Sequence, residues 1–351
     1  MKKVGILTLV GNNNYGNRLQ NYALSKKIDS MGFKTETIWI CKNKFNAKIK
    51  EKSKVLSSLF IKKYKRYYNF VQFTNGKIKN RYSKDINLIK NDYYKFVTGS
   101  DQVWNYNFKS FDKNFLLLFS EYNKNISYAA SLAVDSITDN FVDLFKNGIK
   151  NIRNISVRED KTKDILIDLT KRKDIEVLID PTMLLTSEEW DKVSKKPRQL
   201  KNIKEDKYIL NYFLGELSQS RKQEIERIAK ENNCHIINIL DKEDPFYTCG
   251  PSEFLYLEKN AFLICTDSFH SSVFGILYNT PFIVFEREDK AAKMNSRIDT
   301  LLSKFKLKNR KFNDKEITKE NLNHDYTEAY RILEKERKKS EEFLKKALDI
   351  E

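Results

Sequence analysis

Glycine and proline are scarce in this chain of 351 residues, at 10 and 5; histidine occurs three times and cysteine four. So little Gly and Pro, beside 40% hydrophobic and 13% aromatic residues, excludes a disordered low-complexity chain. The cysteines at 41, 234, 249 and 265 form no Cys-x-x-Cys and no Cys–His spacing suited to zinc. Cys41, Cys234 and Cys265 lie in apolar runs and read as reduced core thiols. No apolar run approaches the ~18 residues of a membrane span. The N-terminal MKKVGILTLVGNN is too short in its apolar part for a signal peptide, so a cytoplasmic location is expected. Gly-x-Gly-x-x-Gly is missing too. Gly11 and Gly16 have phosphate-loop spacing, but Asn17-Arg18 follows where that motif needs Lys and Ser or Thr. There is no Asp-x-Asp pair of the kind that holds a nucleotide-sugar metal, and no His/carboxylate cluster; no metal is expected.

Lysine is plentiful. The 65 Lys+Arg outnumber the 48 Asp+Glu for a net charge of +17. That permits nucleic acid, an anionic membrane face or small anionic substrates as partners. The cations are interleaved with Asp, Glu and Asn and never form a block of six, so no nucleic acid is expected. The basic, aromatic stretch 45–95 reads as one or two helices with apolar Val55, Leu56, Leu59, Phe60, Tyr67, Phe70 and Val71. Its lysine face suits a solvated surface, or peripheral contact with an anionic membrane at its inner face.

The chain alternates strands and helices, which predicts an α/β doubly wound parallel fold. Val4–Val10 is a near-continuous apolar run, as in a buried parallel strand. An Asn-rich loop follows, then a helical period over Arg18–Ser30 and a second strand at Lys34–Ile40. Further strands are expected at Tyr94–Thr98, Asn125–Ala130, Ile155–Val157 and Val177–Ile179. Residues 183–206 read as a junction. Strands at Tyr208–Phe213, His235–Leu240, Phe262–Cys265 and Pro281–Phe285 then alternate with helices at Gln219–Asn232, Pro251–Asn260 and Ile298–Leu307. The expected domains are 1–185, 186–325 and a charged helix over 326–351. Two Rossmann-like domains facing across a cleft, GT-B-like, is the simplest architecture, with ligands at the carboxyl ends of the strands.

Ala261–Gly275, AFLICTDSFHSSVFG, is the stretch richest in chemistry. It reads as a buried strand, helix caps at Thr266 and Asp267, and a helix whose first turn carries His270. Such an N-terminus, with its positive dipole end, suits phosphate or carboxylate.

Several turns together resemble one family. Asn14-Tyr15-Gly16-Asn17-Arg18-Leu19-Gln20-Asn21-Tyr22 resembles its N-terminal motif, and Gly99-Ser100-Asp101-Gln102-Val103-Trp104-Asn105 its most distinctive one. Ser156-Val157-Arg158-Glu159, Asp180-Pro181-Thr182, Ser268-Phe269-His270 with Pro281-Phe282-Ile283, and Ser296-Arg297-Ile298 follow in order. Over roughly residues 1–307 the chain is similar to the polysaccharide pyruvyl transferases. It departs from them at Ser271, where Gly often follows the His.

The resemblance implies phosphoenolpyruvate as donor substrate and no other cofactor. It implies a glycan or lipid-linked sugar acceptor and a pyruvate ketal product, with the donor on the C-terminal domain and the acceptor on the N-terminal one. A GT-B glycosyltransferase using a nucleotide sugar is the alternative, and a basic binding module a third reading. On the donor side, His270 is the candidate general acid or phosphate ligand. Ser268, Ser271 and Ser272 are candidates for hydroxyl and backbone contacts, and Arg297 and, less so, Arg287 for an anion clamp. On the acceptor side, Asn12, Asn13, Tyr15 and Arg18 line the first polar loop, and Ser100, Asp101 and Gln102 the second. Asp101 is the candidate base and Trp104 a candidate stacking surface. Arg158 and Glu159 are expected to pair and brace the site, and Asp180-Pro181 to be structural.

Overall fold

The computed structural model describes residues 1–41, 61–204, 207–287 and 296–350. Contacts divide them into two compact units. The first holds residues 1–41, 74–185 and 335–350, and the second holds 61–73, 186–204, 207–287 and 296–334. This division differs from the expected domains at two segments. The start of a helix within 45–95 goes with the second unit, and the C-terminal helix is shared instead of standing alone. The predicted helical positions Val55, Leu56, Leu59 and Phe60 lie outside the described residues.

In the first unit the strands are β1 (Lys3–Leu7), β2 (Lys34–Ile40), β3 (Asn80–Ser83), β4 (Lys95–Asp101), β5 (Asn125–Ala130), β6 (Asn154–Val157) and β7 (Ile175–Val177). Among the described residues they form one sheet, order β3-β2-β1-β4-β5-β6-β7, with every pairing parallel. Its helices are α1 (Tyr15–Ser30), the end of α2 (Lys62–Lys77), α3 (Asp139–Lys150) and α4 (Asp160–Thr170). Asn14 caps α1 by accepting the Asn17 N–H at 3.1 Å. Leu7, Phe96, Leu116, Phe145, Ile149, Ile155 and Val157 belong to the core. The strand order reverses between β1 and β4, and ligands of open α/β sheets bind at such a reversal.

The second unit holds α5 (Ser187–Asp191), β8 (Lys207–Tyr212), α6 (Gln219–Glu231), β9 (Cys234–Asn238), α7 (Pro251–Asn260) and β10 (Leu263–Thr266). It continues with α8 (Phe269–Tyr278), β11 (Phe282–Val284), α9 (Ser296–Lys304) and the short α10 (Lys319–Leu322). Its sheet is parallel, in the order β11-β10-β8-β9, and reverses between β8 and β10. Gly275 lets α8 lie against β11, since a Cβ there would sit 2.6 Å from Phe282. Trp190 packs edge-on to Phe274 at 5.3 Å and is fully buried.

The last helix, α11 (Thr327–Ala347), begins with the second unit and ends with the first. Within the first unit, Arg337 donates to the carbonyls of Met183 and Leu185 at 2.7 and 2.8 Å, and Phe343 packs on Tyr128.

Candidate functional site

Candidate side chains lie near the sheet reversal of each unit. In the first unit β4 continues through the predicted polar turn: Gly99 pairs with Tyr128 and Asp101 with Ala130. Gly99 takes φ +113° against the Tyr128 carbonyl, a place only glycine fills without collision. Asp101 follows at φ +67°, a left-handed conformation that Asp tolerates better than most residues. Its carboxylate accepts from Arg158 Nη2 at 3.1 Å and from the Gln102 N–H at 2.9 Å.

Arg158 is the hub of this end of the sheet. Its Nη1 donates to Asp180 Oδ2 at 2.8 Å, and Asp180 Oδ1 holds the Thr182 N–H and hydroxyl. Burial opposes the Arg158 charge, but Asp101, Asp180 and Glu159 outweigh it and raise its pKa. The expected Arg158–Glu159 pairing is replaced by this triad. Glu159 instead accepts from Ser131 at 2.8 Å and from Thr162. Asp180, expected to be merely structural, is half of the charge balance. The Asp101 carboxylate, the candidate base, is thus engaged by a buried guanidinium and a main-chain N–H.

Gln20, named only within the N-terminal motif, ties the two loops of this reversal together. Its Nε2 donates to Thr8 Oγ1 at 2.8 Å and its Oε1 accepts the Ser100 N–H at 3.1 Å. The Ser100 hydroxyl donates to Ala129 O at 2.6 Å, so it is engaged within the protein. Arg18 is fully buried and donates through Nη2 to Leu9 O, with its guanidinium 5.9 Å from the Trp39 ring centre. Its Nε and Nη1 meet no acceptor among the described residues. Burial lowers its pKa to about 10 although Tyr82 and Asp101 act to raise it. A buried guanidinium with two open donors suits a carboxylate or phosphate better than the sugar hydroxyls expected of it.

The other acceptor candidates divide. Asn12 accepts from Thr74 at 2.8 Å, Asn13 is exposed, and Gln102 accepts from Asn105 at 3.0 Å. Tyr15 and Trp104 are fully buried, and the Trp104 indole N–H donates to Phe115 O at 3.1 Å. Trp104 is therefore a core residue with no face for a sugar. Tyr15 sits in the core side of α1 for the same reason: every residue from 15 to 24 on that helix is buried.

In the second unit the corresponding place is the turn from β10 into α8. Ser268 is the N-cap residue and makes no side-chain cap bond. The expected caps are otherwise engaged: Thr266 Oγ1 donates to Tyr212 O and accepts the Ser268 N–H, and Asp267 reaches across the reversal. The two Asp267 oxygens accept the Leu214 and Gly215 N–H groups, both at 2.7 Å, and Arg287 Nε lies 2.9 Å from Oδ2. Burial raises the Asp267 pKa, while Arg287 and the two N–H groups act to lower it. Arg287 is thus present at the site, bound to Asp267.

His270 lies in the first turn of α8, 7% exposed, with its ring edge-on to Phe269 at 5.3 Å. The first N–H groups of a helix have no intrahelical acceptor and the dipole favours an anion there. Ser271 and Ser272 do not supply hydroxyls to it. Ser271 donates to the buried Glu258 at 2.6 Å, and Ser272 bonds back to Ser268 O at 3.0 Å. Glu258 has its pKa raised well above the usual carboxylate range by burial, against the Ser271 bond, and its Oε2 meets no partner among the described residues. Arg297 is buried at the start of α9, which packs on α8. The structure thus brings Ser268, His270 and Arg287 to one end of the second sheet and turns the other two serines inward.

Among the described residues no group of three or more His, Cys, Asp or Glu is placed to hold a metal ion. Nor is any helix of theirs long and apolar enough to cross a membrane.

Comparison with known proteins bears on the fold and the family. The structure is similar to UDP-N-acetylglucosamine 2-epimerase from Rickettsia bellii, at 12% identity and TM-score 0.52 over 99% of this chain and 97% of that one. It is also similar to UDP-GlcNAc 2-epimerase from Neisseria meningitidis bound to UDP-GlcNAc, at 11% and 0.51 over 97% and 94%. These likenesses establish a GT-B-like fold. No curated protein matches the sequence. The family model for polysaccharide pyruvyl transferase matches residues 14–289, which spans every motif from the α1 N-terminus to Arg287, and this chain belongs to that family.

Proposed function

We propose that the protein transfers the pyruvate unit of phosphoenolpyruvate to a pair of hydroxyls on a sugar of a surface polysaccharide or its lipid-linked precursor. The observation that carries this reading is His270: a buried imidazole in the first turn of a helix, at a sheet reversal, within the matched family region.

The chemistry asks for a proton donor at the phosphoenolpyruvate methylene and for cations around its phosphate and carboxylate. His270 gives a proton to the methylene carbon, which becomes methyl, and the central carbon becomes electrophilic. One sugar hydroxyl adds there and its proton returns to His270. The second hydroxyl closes the ketal as the C–O bond to phosphate breaks, and its proton leaves with phosphate. Backbone N–H groups at the start of α8 take phosphate oxygens, and Arg297 takes the carboxylate. Asp267, Arg287 and Glu258 hold the turn in place. On the first unit, Asn13 and Gln102 are the candidates for sugar hydroxyls, and the two open donors of the buried Arg18 suit an acidic group. The Asp101–Arg158–Asp180 triad fixes the loop that presents Gln102. Peripheral membrane contact through the 45–95 region is compatible with a lipid-linked acceptor.

A second reading, transfer from a nucleotide sugar, draws on the Neisseria epimerase, whose structure holds UDP-GlcNAc. At 11% identity that likeness concerns the fold alone. The two readings separate in one experiment. The protein is incubated in D2O with phosphoenolpyruvate or UDP-GlcNAc and a panel of glycans, followed by 31P and 1H NMR. Release of inorganic phosphate with a singly deuterated ketal methyl on the glycan supports pyruvyl transfer. Release of UDP with phosphoenolpyruvate untouched would sink it.

A further inference from the structure

A cavity of about 750 Å³ is lined by residues of the second unit only, none of them in the turn from β10 into α8. Its walls are the start of α2, residues 195–202 after α5, the turn at Pro245–Thr248 and the start of α7. Five cations converge on it, Lys62, Lys65, Lys195, Lys196 and Arg198, against one carboxylate, Glu253.

Glu253 has another task. It accepts the Gly250 N–H at 3.1 Å at the start of α7, and Lys195 lies 3.5 Å from its second oxygen. Lys62 donates to the carbonyls of Lys242 and Glu243 at 2.9 and 3.1 Å, which fixes its position without neutralising it. Lys65, Lys196 and Arg198 form no ion pair among the described residues. The wall itself is rigid: Asn69 donates to Thr248 O at 2.7 Å, and Gln199 to Thr248 Oγ1 at 3.0 Å. Like charges held around one hollow repel each other unless an anion of several charges joins them. One phosphate answers two cations, and four uncompensated ones call for two. The volume is in the range of small-ligand sites, and Tyr68 and Ile61 add an apolar wall.

We propose that this cavity binds an organic diphosphate, the group shared by a prenyl diphosphate sugar carrier and a nucleoside diphosphate. The site stands independently of pyruvyl transfer, since none of its residues belongs to the α8 turn.

Calorimetry on the full chain at fixed ionic strength tests it, with farnesyl diphosphate, UDP and orthophosphate as probes. The triple variant Lys65→Glu/Lys196→Glu/Arg198→Glu alters exposed side chains. The single Arg198→Gln serves as the milder variant, and circular dichroism checks that both fold. The expected result is saturable binding of at least one organic diphosphate, ten times or more tighter than orthophosphate and lost in the triple variant. Arg198→Gln should weaken it severalfold, and phosphoenolpyruvate binding should not change. Preference for farnesyl diphosphate identifies a lipid carrier as the source, and preference for UDP a nucleotide. Equal weak binding of all three probes overturns the proposal. So does UDP binding that survives charge reversal but is lost in His270→Asn, which would place the diphosphate at α8.

Discussion

Replacing Arg158 by Met removes the guanidinium that bonds both Asp101 and Asp180. The Arg158 side chain is 1% exposed and Asp180 fully buried, so water cannot take over the role. Breaking a buried pair by deleting one partner costs about 3–5 kcal/mol, chiefly through the charge left behind. Here two carboxylates are left, 2.8 and 3.1 Å from where the guanidinium nitrogens stood, which places the loss at the upper end. The variant should also respond to pH in a defined direction. Without the cation both carboxyls hold their protons more tightly folded than unfolded, so the deficit shrinks below about pH 5 and grows as pH rises. Urea unfolding at pH 5 and pH 8 measures it, with hydrogen exchange at β4 and β5 reporting the first unit separately. The triple change Arg158→Met/Asp101→Asn/Asp180→Asn should recover most of the loss by removing the charges. A cost under about 1 kcal/mol that ignores pH would refute the view that Arg158 balances buried charge.

Gly99→Ala meets both a positive φ and the Tyr128 carbonyl. It should cost about 2–4 kcal/mol, from roughly 1–2 for the backbone and the rest from a displaced sheet hydrogen bond; a denaturation midpoint unchanged from wild type would contradict the tight fit. Glu258→Gln keeps the Ser271 bond and removes a buried ionisable group whose folded pKa is raised. The folded wild type holds a proton that the unfolded chain releases, so its stability declines as pH climbs above the usual 4.5 of glutamate. The variant should match wild type near pH 4 and exceed it above, by up to about 1.4 kcal/mol per pH unit until the folded pKa is reached, as thermal melts across pH would show. His270→Asn should retain donor binding within severalfold but lose turnover by about 10²–10⁴, the usual range for a general acid; equal turnover of the two proteins would remove His270 from the chemistry.

Much of the fold was legible as apolar runs broken by polar turns. β2, β5 and α7 fall where expected, two of them beside a clear stop: Gly32 before β2, Pro251 opening α7. β3 has no signature in the sequence. Asn80–Ser83 is polar and largely exposed, as edge strands commonly are, and shows no alternation to detect. The end of β4 reads as a turn in the sequence because Gly-Ser-Asp signals one, yet main-chain pairing with β5 carries the strand through. At the sites, sequence spacing located His270 in a first helical turn. It did not reveal that Ser271 and Ser272 turn inward, since the phase of a helix with buried residues on every side leaves no polar face to read. Arg18 and Arg158 show the same limit. A charged residue reads as surface until tertiary structure closes around it, and the groups around each come from other elements: Leu9 and Trp39 for one, Asp101 and Asp180 for the other. Trp104 is the converse, an aromatic among polar neighbours whose indole N–H finds its acceptor in the core.

The most direct test of the central claim is calorimetric titration of phosphoenolpyruvate into the wild-type protein and Arg297→Ala. Saturable binding at one site, weakened about ten- to hundredfold by the loss of the Arg297 guanidinium, is what donor recognition at the start of α8 predicts. No binding of phosphoenolpyruvate, with UDP-GlcNAc saturating the same protein, would contradict it.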